Sequence, residues 1–257
     1  MIPVMKLRLG SPDFLIDINR VPGLDRIKVT GGRINMGALA RHHDLETSKV
    51  IRDKAWIISE AASTIGDPQV RNMGTIGGSL AHCDPSGDLG AVVTALRGEV
   101  ILRGPSKARR LRIDDFLLDT FTSALRTDEV LTEVRVPIPP PRSGGAYLKL
   151  ERKTGDFATA GVAVQLSLDR NGVCVAAGIG LTALGPKNLR AAGAEEVMVG
   201  RQLTVREIEE AAAAASEDSQ PTNDPLRGSA EYKKEMARVF TRRAILLAVS
   251  RAQIRRA

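Results

Sequence analysis

Residues 139–145 of this 257-residue chain read PPPRSGG, and neither a helix nor a central strand can run through them. Three consecutive prolines remove three backbone donors and hold φ near −65°, while the paired glycines free the chain again. The chain is long enough to build two modest domains, and this segment is where it divides. We therefore expect a first domain over residues 1–138, a Pro/Gly linker over 139–145 and a second domain over 146–257.

The two halves carry different patterns. Before the linker, short strand-like runs alternate with helical ones: DFLIDI (13–18), RIKVT (26–30) and RINMG (33–37) as strands, the last two joined by a Gly-Gly turn. LARHHDLETS reads as a short helix, and AWIISEAASTIG (55–66) as an amphipathic helix closed by Gly66. DLGAVVTALRG follows as a helix ending at Gly98, with Asp84 as its cap or a start nearer Ser86. EVILRG and RRLRI are strands, DDFLLD a short helix, and EVLTEVRVPI (129–138) a closing strand. After the linker, AYLKLERK, TAGVAVQLSLD and GVCVAAGIGLTAL form three extended runs, the last two joined through Asn171-Gly172, a hairpin signal. NLRAAGAEEVMVG, TVREIEEAAAAASED behind Thr204, and a long AEYKKEMARVFTRRAILLAVSRAQIRR are helical. The expected class is α+β, its second domain a three-stranded antiparallel sheet covered by helices.

Composition narrows the function. Thirty-seven Lys and Arg against thirty Asp and Glu give a net charge of +7, which invites a nucleic-acid reading. Aromatics are only 3% of the residues, however, and the basic residues mix with acids except in KARRLR (107–112) and RAQIRR (251–256), so those runs read as solvated faces. Cys83 and Cys174 stand far apart with no CxxC, and His42, His43 and His82 have no ligand spacing, so no disulfide or metal site is expected. No apolar run approaches membrane-spanning length and the N-terminus lacks a secretory pattern, so a cytoplasmic protein is expected.

One motif carries chemistry. In RNMGTIGGSLAHCDPSGD (71–88), adjacent glycines allow positive φ and close approach of a ligand to the main chain, with the Thr75 and Ser79 hydroxyls beside them. Such a loop suits a phosphate or pyrophosphate, and a structural tight turn explains TIGGS about as well.

Read together, QVRNMGTIGGSLAHCDPSGDL, EVLTEVRVPIPP, GAYLKLERKTGDFATAGVAV and LRGSAEYKKEMARVFTRRA resemble the FAD-binding medium subunits of the molybdenum hydroxylases, with the carbon monoxide dehydrogenase type the nearest in look. The resemblance implies an FAD-binding domain of the PCMH type followed by the small C-terminal domain of these subunits. It implies that Thr75, Ile76, Gly77, Gly78 and Ser79 wrap the FAD pyrophosphate, and that Asp88 contacts the flavin or its ribityl chain. By the same resemblance Lys149 and Leu131 lie near the isoalloxazine and Tyr147 covers it. The residues alone leave other roles open: Asp88 at a helix N-terminus, Lys149 on a strand edge, Tyr147 in the core.

The family also implies a division of labour. A large molybdopterin subunit oxidises the substrate, a small iron–sulfur subunit conducts the electrons, and the FAD chain hands them to an acceptor, in a dimer of heterotrimers. Relatives begin with a first glycine loop of the AGGQSL or AGGHSL kind, leading into a segment like Ile2–Leu9, so the first lobe is expected to be incomplete here. The alternatives are a truncated or degenerate structural subunit that binds FAD weakly or not at all and, more remotely, a basic nucleic-acid-binding protein.

Overall fold

The computed structural model describes residues 2–254. After a short helix α1 (Ile2–Lys6), the first domain is built on a five-stranded antiparallel sheet of order β1-β2-β7-β3-β4. Its strands are β1 (Ile27–Thr30), β2 (Arg33–Gly37), β3 (Glu99–Arg103), β4 (Ala108–Arg112) and β7 (Val130–Pro137). Helices α2 (His42–Thr47), α3 (Lys49–Lys54), α4 (Trp56–Ser63), α5 (Pro68–Met73), α6 (Ile76–His82) and α7 (Asp88–Ala95) lie between β2 and β3 in sequence. Helix α8 (Ile113–Phe116) and a small ribbon of β5 (Leu117–Asp119) and β6 (Thr122–Ser123) complete it. Period-two alternation puts Ile34 and Met36 of β2, Val100 and Leu102 of β3, and Val134 and Val136 of β7 on the buried face, against Ile57, Ile76, Leu80 and Leu89.

The second domain is a four-stranded antiparallel sheet, β11-β10-β9-β8. Three long strands, β8 (Ser143–Leu150), β9 (Ala160–Leu168) and β10 (Cys174–Thr182), correspond to the three expected runs, and β11 (Leu189–Arg190) adds two residues at the edge. Helices α9 (Ala192–Met198), α10 (Val205–Asp218) and α11 (Ala230–Ile254) cover it. The β9–β10 hairpin turns at Gly172 with φ +83°, as Asn-Gly suggests.

Three expectations are corrected. DFLIDI forms no strand: Phe14 and Ile16 are 87% and 86% exposed, and no described strand pairs with the segment. Strand β8 begins at Ser143, inside the expected linker; it occupies a sheet edge, and Gly144 lets it approach α11, since a Cβ there would stand 1.9 Å from the Ala248 carbonyl oxygen. Finally, α7 starts at Asp88 behind Gly87, and Asp84 instead turns the preceding loop by accepting the Ser86 N–H at 2.9 Å.

Helix α7 is buried along its whole length because it lies between the two domains. Gly178 and Gly180 of β10 make this possible: a Cβ at either would come within 2.0 Å of the Ala95 or Ala91 carbonyl oxygen. The helix therefore rests directly on the second sheet, and Asp88 in its first turn is delivered to the domain interface.

Candidate functional site

TIGGS is the first turn of a helix. Thr75 is the N-cap of α6, in extended conformation, and its Oγ1 accepts the Gly78 N–H at 3.1 Å. Gly77 and Gly78 do not adopt positive φ, which corrects the conformational argument for them. Gly77 is there for packing: its N–H donates to the Ala38 carbonyl at 2.9 Å, and a Cβ would stand 2.4 Å from the Ala38 Cβ. The Ile76 N–H donates to Ala40 O and the Ser79 N–H to Thr75 O, so the turn's amides are already bonded within the chain and do not form an open nest. Ile76 is buried in the core. What faces outward is Gly78, which is exposed, with Thr75 and Ser79 half-buried beside it. A Cβ at Gly78 would touch only Thr75 Oγ1, at 2.9 Å.

Asp88, Tyr147 and Lys149, far apart in sequence, are brought together. The Tyr147 hydroxyl donates to Asp88 Oδ1 at 2.5 Å, and Lys149 Nζ donates to Asp88 Oδ2 at 3.0 Å and to the Thr64 carbonyl at 3.1 Å. Burial pushes the Asp88 carboxyl up from its ordinary range while Lys149 pulls it back, and burial raises the Tyr147 phenol well above its usual value. Tyr147 is 3% exposed and packed in the first core, so it does not lie over a ligand face; its hydroxyl needs a partner there, and Asp88 supplies it. Leu131 also points into that core, since it sits opposite Leu102 on the buried side of β7.

The open space near this cluster is a cleft of about 400 Å³ lined by Thr64, Gly66, Asp67, Arg71, Glu151 and Gly155 among others. Its two walls come from different domains and meet backbone to backbone. Gly66 and Gly155 both have positive φ, +52° and +82°, and a Cβ on Gly155 would stand 2.7 Å from the Gly66 carbonyl oxygen. Arg71 holds the Gly66 turn, donating to the Ile65 and Gly66 carbonyls at 3.1 and 3.3 Å and to Glu46 at 2.8 Å. Lys149 reaches the wall at Thr64. Helix α5, capped by Asp67 and opened by Pro68, runs from this cleft to the turn at Thr75. Arg71, Glu151 and the Gly66–Gly155 contact were missed in the sequence, where the only local signal was a glycine in each of two loops.

Elsewhere, the basic run KARRLR is matched by acids: Arg109 pairs with Glu129 at 2.7 Å and Arg112 with Asp114 at 3.5 Å. No helix among the described residues is long and apolar enough to cross a membrane.

Comparison with known proteins bears on both domains. The family model described as the FAD binding domain in molybdopterin dehydrogenase matches residues 1–139, and that of the CO dehydrogenase flavoprotein C-terminal domain matches residues 145–248. The chain is 41% identical over 251 residues to the carbon monoxide dehydrogenase medium chain of Hydrogenophaga pseudoflava, covering 98% of this chain and 87% of that one. It is 37% identical to the 6-hydroxypseudooxynicotine dehydrogenase complex subunit alpha of Paenarthrobacter nicotinovorans, covering 98% and 85%. The solved carbon monoxide dehydrogenase of Hydrogenophaga pseudoflava that lacks the Mo-pyranopterin moiety superposes with a TM-score of 0.94 at 42% identity, over 97% of this chain and 86% of that one.

Proposed function

Because this chain belongs to the family of FAD-binding medium subunits of the molybdenum hydroxylases, we propose that it holds FAD between the outer face of α6 and the cleft beside Lys149, as the electron-exit subunit of such an enzyme. The observation that carries this reading is the match, in order, of the first domain to the FAD binding domain of molybdopterin dehydrogenases and of the second to the CO dehydrogenase flavoprotein C-terminal domain.

The donor set fits the cofactor. Gly78 leaves the surface of the α6 turn open, and the Thr75 and Ser79 hydroxyls stand beside it as donors for phosphate oxygens. From there α5, six residues or about 9 Å long, leads to the cleft, where the ring would meet Thr64 and Gly66 on the walls and the Lys149–Asp88 pair behind them. Bound FAD supplies the redox chemistry, accepting electrons and releasing them. The chain's own residues position it: Arg71 holds the Gly66 turn, Asp88 and Thr64 hold the Lys149 ammonium, and the Gly66–Gly155 contact closes the cleft between the domains.

In this reading the partners would be a small iron–sulfur subunit that would supply the electrons and a large molybdopterin subunit that would oxidise the substrate, in a dimer of heterotrimers. Cys83 and Cys174 are free and buried, which suits a reducing compartment, and we assign the complex to the cytoplasm. A second reading, a structural subunit of the same assembly without flavin, draws support from the internally bonded amides of the α6 turn. Cofactor extraction from the purified complex separates the two. About one FAD per chain supports the first, and a complex of all three subunits that carries none sinks it.

A further inference from the structure

The wall of the cleft carries one charge that the proposed function leaves unused, and the inference from it rests on that function. Lys149 is already matched by Asp88, at 3.0 Å with both side chains nearly enclosed. Glu151 is then in surplus. Its Oε2 lies 3.6 Å from Lys149 Nζ, is buried and accepts no hydrogen bond, while the side chain as a whole is 23% exposed on the cleft wall. Arg71, the other cation of the wall, is committed to Glu46 at 2.8 Å, and Asp67 adds a further carboxylate, spent on capping α5. Lys149, Asp88 and Glu151 thus bring one positive and two negative charges. A carboxylate oxygen without a donor keeps its charge undiluted, and a partly desolvated wall screens it weakly.

We propose that Glu151 is a potential-setting residue: its carboxylate lowers the reduction potential of a flavin held in the cleft, making the reduced cofactor a better donor to the external acceptor. Reduction places negative charge on the ring or draws a proton to it, and a fixed negative charge on the wall opposes the first of these. Glu151 acts through its field, with Lys149 and Asp88 as the balanced background against which that field is felt.

The test is redox titration of the bound FAD in the assembled complex carrying Glu151→Gln, which removes the charge and keeps the size. FAD content should stay at the wild-type level, and the ratio of reduced to oxidised flavin at a fixed ambient potential should rise at least tenfold, about 30 mV for a two-electron couple. Glu151→Asp, which retains a carboxylate, should return most of the way to wild type, and Glu196→Gln on the exposed side of α9 should not move the ratio. An unchanged or lowered potential with full FAD content overturns the proposal and leaves the FAD reading standing. Loss of FAD from Glu151→Gln alone also overturns it, because the carboxylate would then hold the cofactor and not tune it. A wild-type complex without FAD refutes the functional reading itself, and the proposal falls with it.

Discussion

The Lys149 ammonium lies 3.0 Å from Asp88 Oδ2, with 3% and 6% of the two side chains exposed, and this pair joins strand β8 of the second domain to the first turn of α7 in the first. An enclosed ion pair is costly to break from one side, because the remaining charge has no solvent to turn to. Asp88→Ala or Lys149→Met should therefore each destabilise the chain by about 3–5 kcal/mol in chemical denaturation, and the double variant by less than the sum. Additive losses would show that the two side chains are not coupled.

The neighbouring glycines of α6 should separate fold from binding. At Gly77 a methyl group would meet Ala38 backbone and side chain, so Gly77→Ala should cost about 1–3 kcal/mol of stability. At Gly78 the methyl would press only on the Thr75 hydroxyl that caps α6 and project onto the open face, so Gly78→Ala should lower the thermal midpoint less than Gly77→Ala does and lose bound FAD. Thermal melts with cofactor extraction on both variants check this; equal FAD loss in two equally stable proteins would contradict it.

Acid should weaken the fold through His42. Burial first, and then the charge of Arg71, lowers the His42 pKa from 6.5 to about 4, and its Nδ1 has no hydrogen-bond partner. The folded state thus prefers the neutral ring. Above pH 6.5 protonation costs nothing; as pH falls toward 4 the unfolded chain takes up a proton that the folded chain refuses, and stability drops by up to roughly 3 kcal/mol. His42→Leu should flatten the unfolding midpoint between pH 6.5 and 4, and a variant with the wild-type slope would assign that slope to other groups.

Glu60 is a second clasp between the domains. It takes both Arg251 guanidinium nitrogens, at 2.7 and 3.0 Å, and also the Tyr147 backbone N–H at 2.7 Å. Arg251→Ala should cost about 1.5–3 kcal/mol, and Glu60→Ala more, because it also leaves the Tyr147 amide without its acceptor. Urea unfolding of the two single variants ranks them, and the reverse order would refute the assignment.

Much of this protein was legible in its sequence. The runs RINMG, EVILRG and EVLTEVRVPI were legible as the strands β2, β3 and β7, and Asn171-Gly172 marked the hairpin between β9 and β10, because these signals depend on neighbours a few residues away. The order of several motifs pointed to the family, and the comparisons bear that out. Sequence also picked Asp88, Tyr147 and Lys149, but it could not say that they would spend their polar atoms on one another, since that contact closes across 59 and 61 residues. The same limit applies to TIGGS. Its glycines suggested a free-amide loop, whereas packing against Ala38 and Ala40 made it a capped helical turn with its amides already used. DFLIDI had the composition of a strand, and a strand exists only where another backbone offers it hydrogen bonds. Local preference therefore determined which segments were helical or extended in most of the chain. Only tertiary structure decided where Gly66 meets Gly155, which face of α6 stays open, and why Glu151 stands as the second carboxylate beside Lys149 with no donor on its Oε2, because each of these depends on what the second domain brings against the first.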